Sequence, residues 1–328
     1  MAAANDPVAL PESVRQIVGR LAELPDVRAI ALAGSQTGGV ADPLSDFDAY
    51  VYHDGPVPIA PRQALARDFA DDTAAIEIDN RFWGPGDEWI DRESGHKIDL
   101  IYFPADWMED QVRRVLIRHE ASVGYSTCFW ATVRRSQPLF DREGWLARLQ
   151  ALADQPYPEA LRRAILAMNY PILRANHAAY THQIEWAVAR RDRVSLNHRI
   201  AGLLASYFDI LFAANRVPHP GEKRLIQQAQ KLCPALPDRL PEQVEAVLVS
   251  VSSPWDAPAS LPAIHALLDN LDAFLAAEGL ALAPLYPVRA SSGGGAGLHS
   301  VQIVSRWRSA SRIPAWRGPS ISLKSSVL

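Results

Sequence analysis

The apolar residues change period partway along the chain, and that change restricts the fold more than any other feature. Before residue 105 the apolar runs are short and alternate like strands. They are Val27-Arg-Ala-Ile-Ala-Leu-Ala ending at Gly34, Phe47-Asp-Ala-Tyr-Val-Tyr, Ala74-Ala-Ile-Glu-Ile-Asp and Lys97-Ile-Asp-Leu-Ile-Tyr-Phe. An amphipathic helix over 8–24 precedes them, with Val8, Leu10, Val14, Ile17, Val18 and Leu21 at helical intervals. The polar segment between Gly84 and Gly95, bracketed by Trp83 and Trp89, predicts a loop or hairpin. From Trp107 onward the spacing is three and four residues, predicting helices over 106–121, 144–153, 158–180, 182–192, 195–215, 221–232, 241–252 and 259–278. Pro171 should kink or split the third of these, and Ser195 is the expected N-cap of the fifth. Strands first and helices afterwards make an α+β chain. The expected division is an N-terminal mixed β-sheet with flanking helices over 1–145, an all-helical part over 146–287, and a Ser/Gly/Arg-rich tail over 288–328 expected to be disordered.

Composition enters as a set of exclusions. With 328 residues, 48% hydrophobic and 21% charged, the chain has ample material for a core. No apolar run reaches the ~18 residues of a membrane span. The N-terminus carries no basic-then-apolar leader, and Cys128 and Cys233 stand far apart, so a reducing cytoplasm is the expected compartment. The net charge is −4, yet the tail from Val288 holds Arg289, Arg306, Arg308, Arg312, Arg317 and Lys324 with no acid, so the body is more acidic than the total. Such a body offers no basic face to a long polyanion and suits a small partner better. Nucleic acid is therefore not an expected partner. Oligomeric state is not legible in the sequence.

The stretch Ala33-Gly34-Ser35-Gln36-Thr37-Gly38-Gly39-Val40-Ala41-Asp42-Pro43-Leu44-Ser45-Asp46-Phe47-Asp48 carries the chemistry. Asp46 and Asp48 are one residue apart at the opening of a strand, so their carboxylates share a face. Carboxylates that close repel unless a cation sits between them, and Mg²⁺ takes oxygen ligands of this kind together with phosphate oxygens. A Gly-Ser turn closing the preceding strand supplies backbone N–H groups and a hydroxyl, the parts of a phosphate cradle. Asp99 lies in an apolar strand, where an acid costs stability unless it is paired or bound to metal. If its strand neighbours that of Asp46 and Asp48, the three carboxylates converge.

Gly34-Ser35, Asp46-Phe47-Asp48 and a later-strand Asp99, in that order, resemble the DNA polymerase β-like nucleotidyltransferase superfamily over the first ~105 residues. The resemblance implies that Gly34 and Ser35 hold a triphosphate, that Asp46 and Asp48 bind Mg²⁺, and that Asp99 is the third carboxylate and general base. Two Mg²⁺ ions and a nucleoside triphosphate, expected to be ATP, follow from it. One ion would serve the attacking oxygen and the other the leaving pyrophosphate. Leu211-Phe-Ala-Ala-Asn215-Arg-Val-Pro-His-Pro220-Gly221-Glu222-Lys223-Arg224-Leu225 is similar to the helical half of small-molecule, antibiotic-type nucleotidyltransferases. Physically, Pro-Gly before a helical segment places Lys223 in the first turn, within reach of the β- and γ-phosphates. The expected reaction is transfer of NMP to a hydroxyl of a small acceptor, aminoglycoside- or lincosamide-like, with release of pyrophosphate.

Other residues weigh less. Glu77 and Asp79 share a strand face, but no Gly-Ser turn precedes them, so an exposed edge is expected. Glu88 and Asp91 in the Trp-bracketed loop are candidates for touching an acceptor or for plain solvation. His198 is expected to be a hydrogen-bonded structural residue rather than a wall of the cleft. His177 and His182, five apart, do not share a helical face, so a metal site with Glu185 is not expected. Two other functions remain open on the sequence. One is a transferase acting on a macromolecule, by protein AMPylation or RNA-end addition, for which Arg190, Arg191 and Arg193 make only a short basic track. The other is a nucleotide-binding module without turnover, for which Asp99 is unnecessary. There is no P-loop, His-Glu-x-x-His or Gly-x-Ser-x-Gly motif.

Overall fold

Alternation in the strand-forming runs sorts side chains onto two faces, and both faces are covered. The computed structural model describes residues 8, 10–34, 46–82, 84–252 and 259–280. Six strands form one mixed sheet: β1 (Val27–Leu32), β2 (Phe47–His53), β3 (Glu77–Asn80), β4 (Gly86–Ile90), β5 (Lys97–Pro104) and β6 (Gln137–Asp141), in the order β3-β4-β5-β2-β1-β6. Only the central β2–β5 pair is parallel; the remaining pairs are antiparallel. The β2–β5 register is unbroken from Phe47↔Ile98 to His53↔Pro104. The order of these strands leaves β3, as expected, at an edge, where Asp79 at φ 57 turns toward Arg62 and Arg81.

One face presents Ile30, Leu32, Phe47, Ala49, Val51, Ile98, Leu100 and Tyr102. It is covered by α1 (Glu12–Ala22), through Val14, Ile17 and Leu21, and by α2 (Ile59–Phe69), through Leu65 and Ala66. The period of 8–24 thus yields a helix that starts later, after Pro11, and ends at Ala22. Helix α2 is absent from the sequence expectations. Prolines 58 and 61 hide it by breaking the local pattern, although Pro is tolerated in a first helical turn. Its buried face carries Arg62, which pairs with Asp87 at 2.5 Å and lies 4.1 Å above the Tyr102 ring.

The opposite face carries Ala29, Ala31 and Tyr52 into a second core built by the helices. These are α3 (Ala105–Leu116), α4 (Cys128–Arg135), α5 (Trp145–Ala153), α6 (Glu159–Arg174), α7 (Tyr180–Ala189), α8 (Arg193–Ala214), α9 (Leu225–Leu232), α10 (Leu240–Ser252) and α11 (Ser260–Ala277). Trp145 stacks at a tilt on Tyr52, ring centres 5.2 Å apart, joining the α5 layer directly to the sheet. Each large side chain fully buried here contributes roughly 1.5–3 kcal/mol. All described residues belong to one compact unit, Met1–Val288. The architecture is α+β, as expected.

Several expectations shift. Helix α6 passes through Pro171 and ends at Arg174, so the predicted 158–180 segment stops one turn beyond the proline and resumes as α7 at Tyr180. The N-cap of α8 is Asp192, whose carboxylate accepts the Ser195 N–H at 3.0 Å and the Ser195 hydroxyl at 2.8 Å; Ser195 lies inside the first turn. The predicted 106–121 helix stops at Leu116 because the next segment is drawn into side-chain hydrogen bonds with Arg114. Helix α4 and strand β6 lie between the predicted 106–121 and 144–153 helices, where no element was expected. The tail 288–328, Trp83 and the Gly38, Gly39, Pro43 and Ser45 loop positions lie outside the described residues.

Candidate active site

Because β2 and β5 are parallel and in register, Asp48 stands directly opposite Asp99. On the far side of β5, Glu88 of β4 is also in register with Asp99, and Glu77 of β3 is in register with Glu88. Acids therefore run in a row across four strands on the face that looks toward the helices. Directly opposed like charges destabilise a sheet. Lys97, two residues before Asp99 and on the same face, works against this repulsion, reaching Glu88 Oε2 at 2.5 Å and Asp99 Oδ2 at 3.9 Å.

The electrostatic result is legible at Asp99. Its pKa is raised to about 6, by burial first and then by Glu88, Asp48 and Asp46, against the pull of Lys97. Lys97 responds in the opposite sense. Burial works against its charge, but the hydrogen bond to Glu88 and the nearby Asp99 and Asp46 outweigh it and raise its pKa. Tyr50, next along the same face of β2, is pushed up to about 12 by burial, then by Asp48, Asp99 and Cys128.

Gly34 closes β1 beside this row. The Ala33 N–H donates to the Asp48 carbonyl at 2.9 Å, holding the end of β1 against β2. Gly34 has φ 65, and a Cβ built there would lie 1.8 Å from Asp48 Oδ2. Only glycine both accepts that backbone and leaves space for the carboxylate.

The expected residues therefore fall into three groups. Gly34, Asp48 and Asp99 are brought together, with Asp46 half-buried immediately before β2 and close enough to raise the Asp99 pKa. Ser35 lies outside the described residues. Lys223 differs from expectation: it is exposed, in the turn before α9, which begins only at Leu225. The delay comes from Arg224, whose left-handed φ of 53 breaks the chain out of helical geometry just where Lys223 would otherwise enter it.

Among the described residues no three His, Cys, Asp or Glu side chains gather around one ion-sized point. The donor set nonetheless has the chemistry of a Mg²⁺ site. Asp46, Asp48 and Asp99 offer hard oxygen ligands, the Asp48 carboxylate is seated where a Cβ would be, and the repulsion from Asp48 and Asp46, which adds to burial and Glu88 in raising the Asp99 pKa, is what a bound cation relieves.

The helical part approaches through the segment after α8. His219 is fully buried, its N–H donating to Thr127 Oγ1 at 2.7 Å and its Nδ1 lying 3.5 Å from Cys128 Sγ. Burial alone lowers its pKa to about 3, so the ring is neutral. Beneath it, Asp209 of α8 accepts from the Ser126 N–H at 3.0 Å, the Ser126 hydroxyl at 2.6 Å and Asn169 Nδ2 at 3.2 Å. This knot fixes the loop that leads into α4, and with it Cys128 near Tyr50.

Sequence reasoning missed Lys97, Tyr50 and Asp209, and placed Glu88 in a loop. The signal for the first two was present: Lys97-Ile-Asp99 and Asp48-Ala-Tyr50 alternate with period two, so each shares a face with its acid. Asp91, paired with Glu88 in the sequence expectation, instead accepts hydrogen bonds from the Ser13 and Ser94 hydroxyls at 2.8 and 2.6 Å and is structural. His198 is exposed on α8 rather than hydrogen-bonded in the interior, because its neighbours Leu196 and Ile200 take the buried face.

No family model matches the chain, and no curated protein matches it. In structure it is similar to the nucleotidyltransferase-like protein from Exiguobacterium sibiricum 255-15, over 82% of this chain and 76% of that one, at 14% identity and a TM-score of 0.41. A likeness at that level assigns no activity, and the functional reading rests on the site itself.

Proposed function

We propose that the chain is a Mg²⁺-dependent nucleotidyltransferase that moves AMP from ATP to a hydroxyl of a small acceptor. The observation that carries this reading is the pairing of Asp48 with Asp99 on adjacent parallel strands, with the Asp48 carboxylate seated against Gly34. A glycine that must stay bare beside two opposed carboxylates suits a phosphate chain lying close to backbone. Gly34 and Ser35 would hold the triphosphate, and Asp46, Asp48 and Asp99 would hold the divalent ions. Bound there, Mg²⁺ supplies charge neutralisation at the phosphates and lowers the pKa of a coordinated oxygen.

The chain's own residues then have separate tasks. The acceptor oxygen forms a bond to the α-phosphorus, the bond from that phosphorus to the β-bridging oxygen breaks, and pyrophosphate leaves. The acceptor's proton passes to Asp99, whose pKa of about 6 leaves it ionised but basic near neutral pH. Lys97 orients Asp99 and Glu88 from one side. Lys223, on its exposed turn, would meet the outer phosphates, so Lys223→Ala should weaken nucleotide affinity at least as much as it slows transfer.

The test is incubation of the protein with ATP, the other nucleoside triphosphates, Mg²⁺ and a panel of hydroxylated metabolites and antibiotics, read by mass spectrometry. A nucleotidylated small molecule and free pyrophosphate are the expected products. Nucleotide appearing only on protein or RNA would favour the macromolecular transferase instead. Tight Mg²⁺-ATP binding with no product from any acceptor would favour a binding module.

A further inference from the structure

The acidic row is one end of a longer surface. On the same face, β2 continues from Asp48 to Tyr50, and β5 continues from Asp99 through Ile101 to Phe103. The chain then enters α3, whose first turn carries Trp107, and α4 adds Phe129. The four rings form one connected array. Tyr50 meets Phe103 edge-on with centres 5.2 Å apart, and Phe103 stacks on Trp107 at 5.5 Å with the planes within 6°. Phe129 stands edge-on to both Phe103 and Trp107, at 6.2 and 5.0 Å.

Burial differs along this surface. Tyr52, one step past Tyr50, is wholly buried under Trp145. Tyr50, Phe103 and Phe129 are only partly buried, and Trp107 is 37% exposed. Trp107 is thus the open end of the array, and Tyr50 its largely buried end, next along β2 from Asp48. At ~3.3 Å of strand per residue, Tyr50 lies about 7 Å and Phe103 about 13 Å along the sheet from the Asp48–Asp99 pair.

Strand order says which substrate these rings face. Gly34 and the phosphate end lie at β1, on one side of β2. Asp99 and Phe103 lie on β5, on the other side, and β5 leads into the helix that carries Trp107. A group whose hydroxyl is deprotonated by Asp99 therefore lies along β5, over Phe103 and Trp107, while the nucleotide's phosphates lie toward β1.

We propose that Tyr50, Phe103, Trp107 and Phe129 form the acceptor platform of this site, and that the acceptor is a planar, aromatic-ring compound bearing the reacting hydroxyl. This rests on the transferase reading and narrows its acceptor class. The rings suit a flat π-face.

The probe is 2-naphthalenemethanol, a flat two-ring alcohol, with neomycin as the polycationic comparison. Binding to the full chain is followed by saturation-transfer NMR, and Mg²⁺-ATP binding by calorimetry. Trp107→Ala should weaken the naphthyl probe about tenfold, the scale of one lost stacking partner, while leaving Mg²⁺-ATP affinity unchanged. Trp107→Phe should restore most of the binding, which separates lost stacking from a damaged fold; Phe129→Leu should weaken it in the same direction. With ATP present the wild type should release pyrophosphate and form the naphthylmethyl ester of AMP. The proposal is overturned if Trp107→Ala binds the probe as the wild type does, if it loses ATP instead of the probe, or if neomycin is adenylylated and the naphthyl alcohol is not. A wild type that binds both probe and Mg²⁺-ATP without forming the ester also overturns it. Ring-dependent probe binding in a protein that binds no ATP would sink the transferase reading alone and leave the aromatic site standing.

Discussion

The acid of the helical knot and the acids of the sheet are treated in opposite ways. Around Asp209, each oxygen of a single acid is met by a donor: Ser126 through its N–H and hydroxyl, and Asn169 through its amide. No second acid shares that knot, and burial alone raises the pKa, to about 7, against the pull of those donors and Arg114. Across the sheet, Asp48, Asp99 and Glu88 stand side by side with one Lys97 among them. The first arrangement ties loop to helix. The second stores repulsion in a place that is only partly buried.

The comparison makes its strongest claim at the acids before and within β2. Replacing Asp46 or Asp48 with Asn should abolish transfer, since each removes a charge meant for the metal-bound triphosphate. Folding should not suffer, because like-charge opposition worth about 0.2–1 kcal/mol is removed with Asp48. Thermal melts with and without Mg²⁺-ATP check this: the apo melting temperature should hold or rise while the Mg²⁺-ATP shift disappears. A variant that kept both turnover and the shift would end the metal assignment.

Asp99→Asn should retain shape and some oxygen ligation but lose the base. Removal of a general base costs about 10²–10⁴-fold in kcat, and nucleotide binding should largely survive when titrated by calorimetry. Asp209→Ala should fail in the other direction. Each buried donor left unmet costs about 1–3 kcal/mol, so chemical denaturation should show a large loss of stability, with kcat of the remaining folded protein little changed. If Asp209→Ala lowered kcat with stability intact, the division between a structural and a chemical acid would be wrong.

Gly34→Ala tests the close approach that sets Asp48. An alanine at φ 65 costs about 1–2 kcal/mol of backbone strain, and its Cβ would drive the Asp48 carboxylate away. Weaker Mg²⁺-ATP binding by calorimetry is the expected outcome, with a modest drop in melting temperature.

What could be read in advance followed from local chemistry, and what could not depended on distant partners. The runs at 27–33, 47–52 and 97–103 became β1, β2 and β5, because their alternation needs only a two-sided sheet. Gly34, Asp48 and Asp99 could be singled out because each residue type is costly without a purpose. Strand β6 was illegible because it contains Pro138 and exists only by pairing with β1 at an edge. Helix α2 was illegible because its inward face includes Arg62, which is satisfied by Asp87 from another strand. Register is the deepest case. Nothing local states that Glu88 lies opposite Asp99, yet that pairing contributes to the raised pKa. Asp209 left a clue, an acid inside the apolar run Tyr207–Ala214, but its partners Ser126 and Asn169 are 83 and 40 residues away.

The smallest expected effect is the most discriminating, because both acids predict a slope of the same sign. Asp99 and Asp209 have folded pKa values of about 6 and about 7, above the ~4 of an unfolded carboxylate. Between pH 4 and each folded value, the unfolded chain has released the proton that the folded chain still holds. The folded state then binds more protons, so stability must fall as pH rises through that window. Stability from Asp99 is present below pH 4 and spent by about pH 6; that from Asp209 declines until about pH 7. Asp99→Asn should flatten the curve of stability against pH only below about pH 6, whereas Asp209→Asn, which keeps the side-chain shape, should flatten it through pH 7. The kinetic curve separates them further. Activity should climb with pH as Asp99 loses its proton and becomes able to act as a base, at a lower pH with Mg²⁺ bound than the about 6 of the metal-free carboxylate, and Asp209→Asn should leave that rise in place. Urea titrations at half-unit pH steps, with kcat/KM measured on the same samples, decide between the two acids. A rise in activity that moved with Asp209 rather than with Asp99 would transfer the chemistry from the sheet to the helical knot.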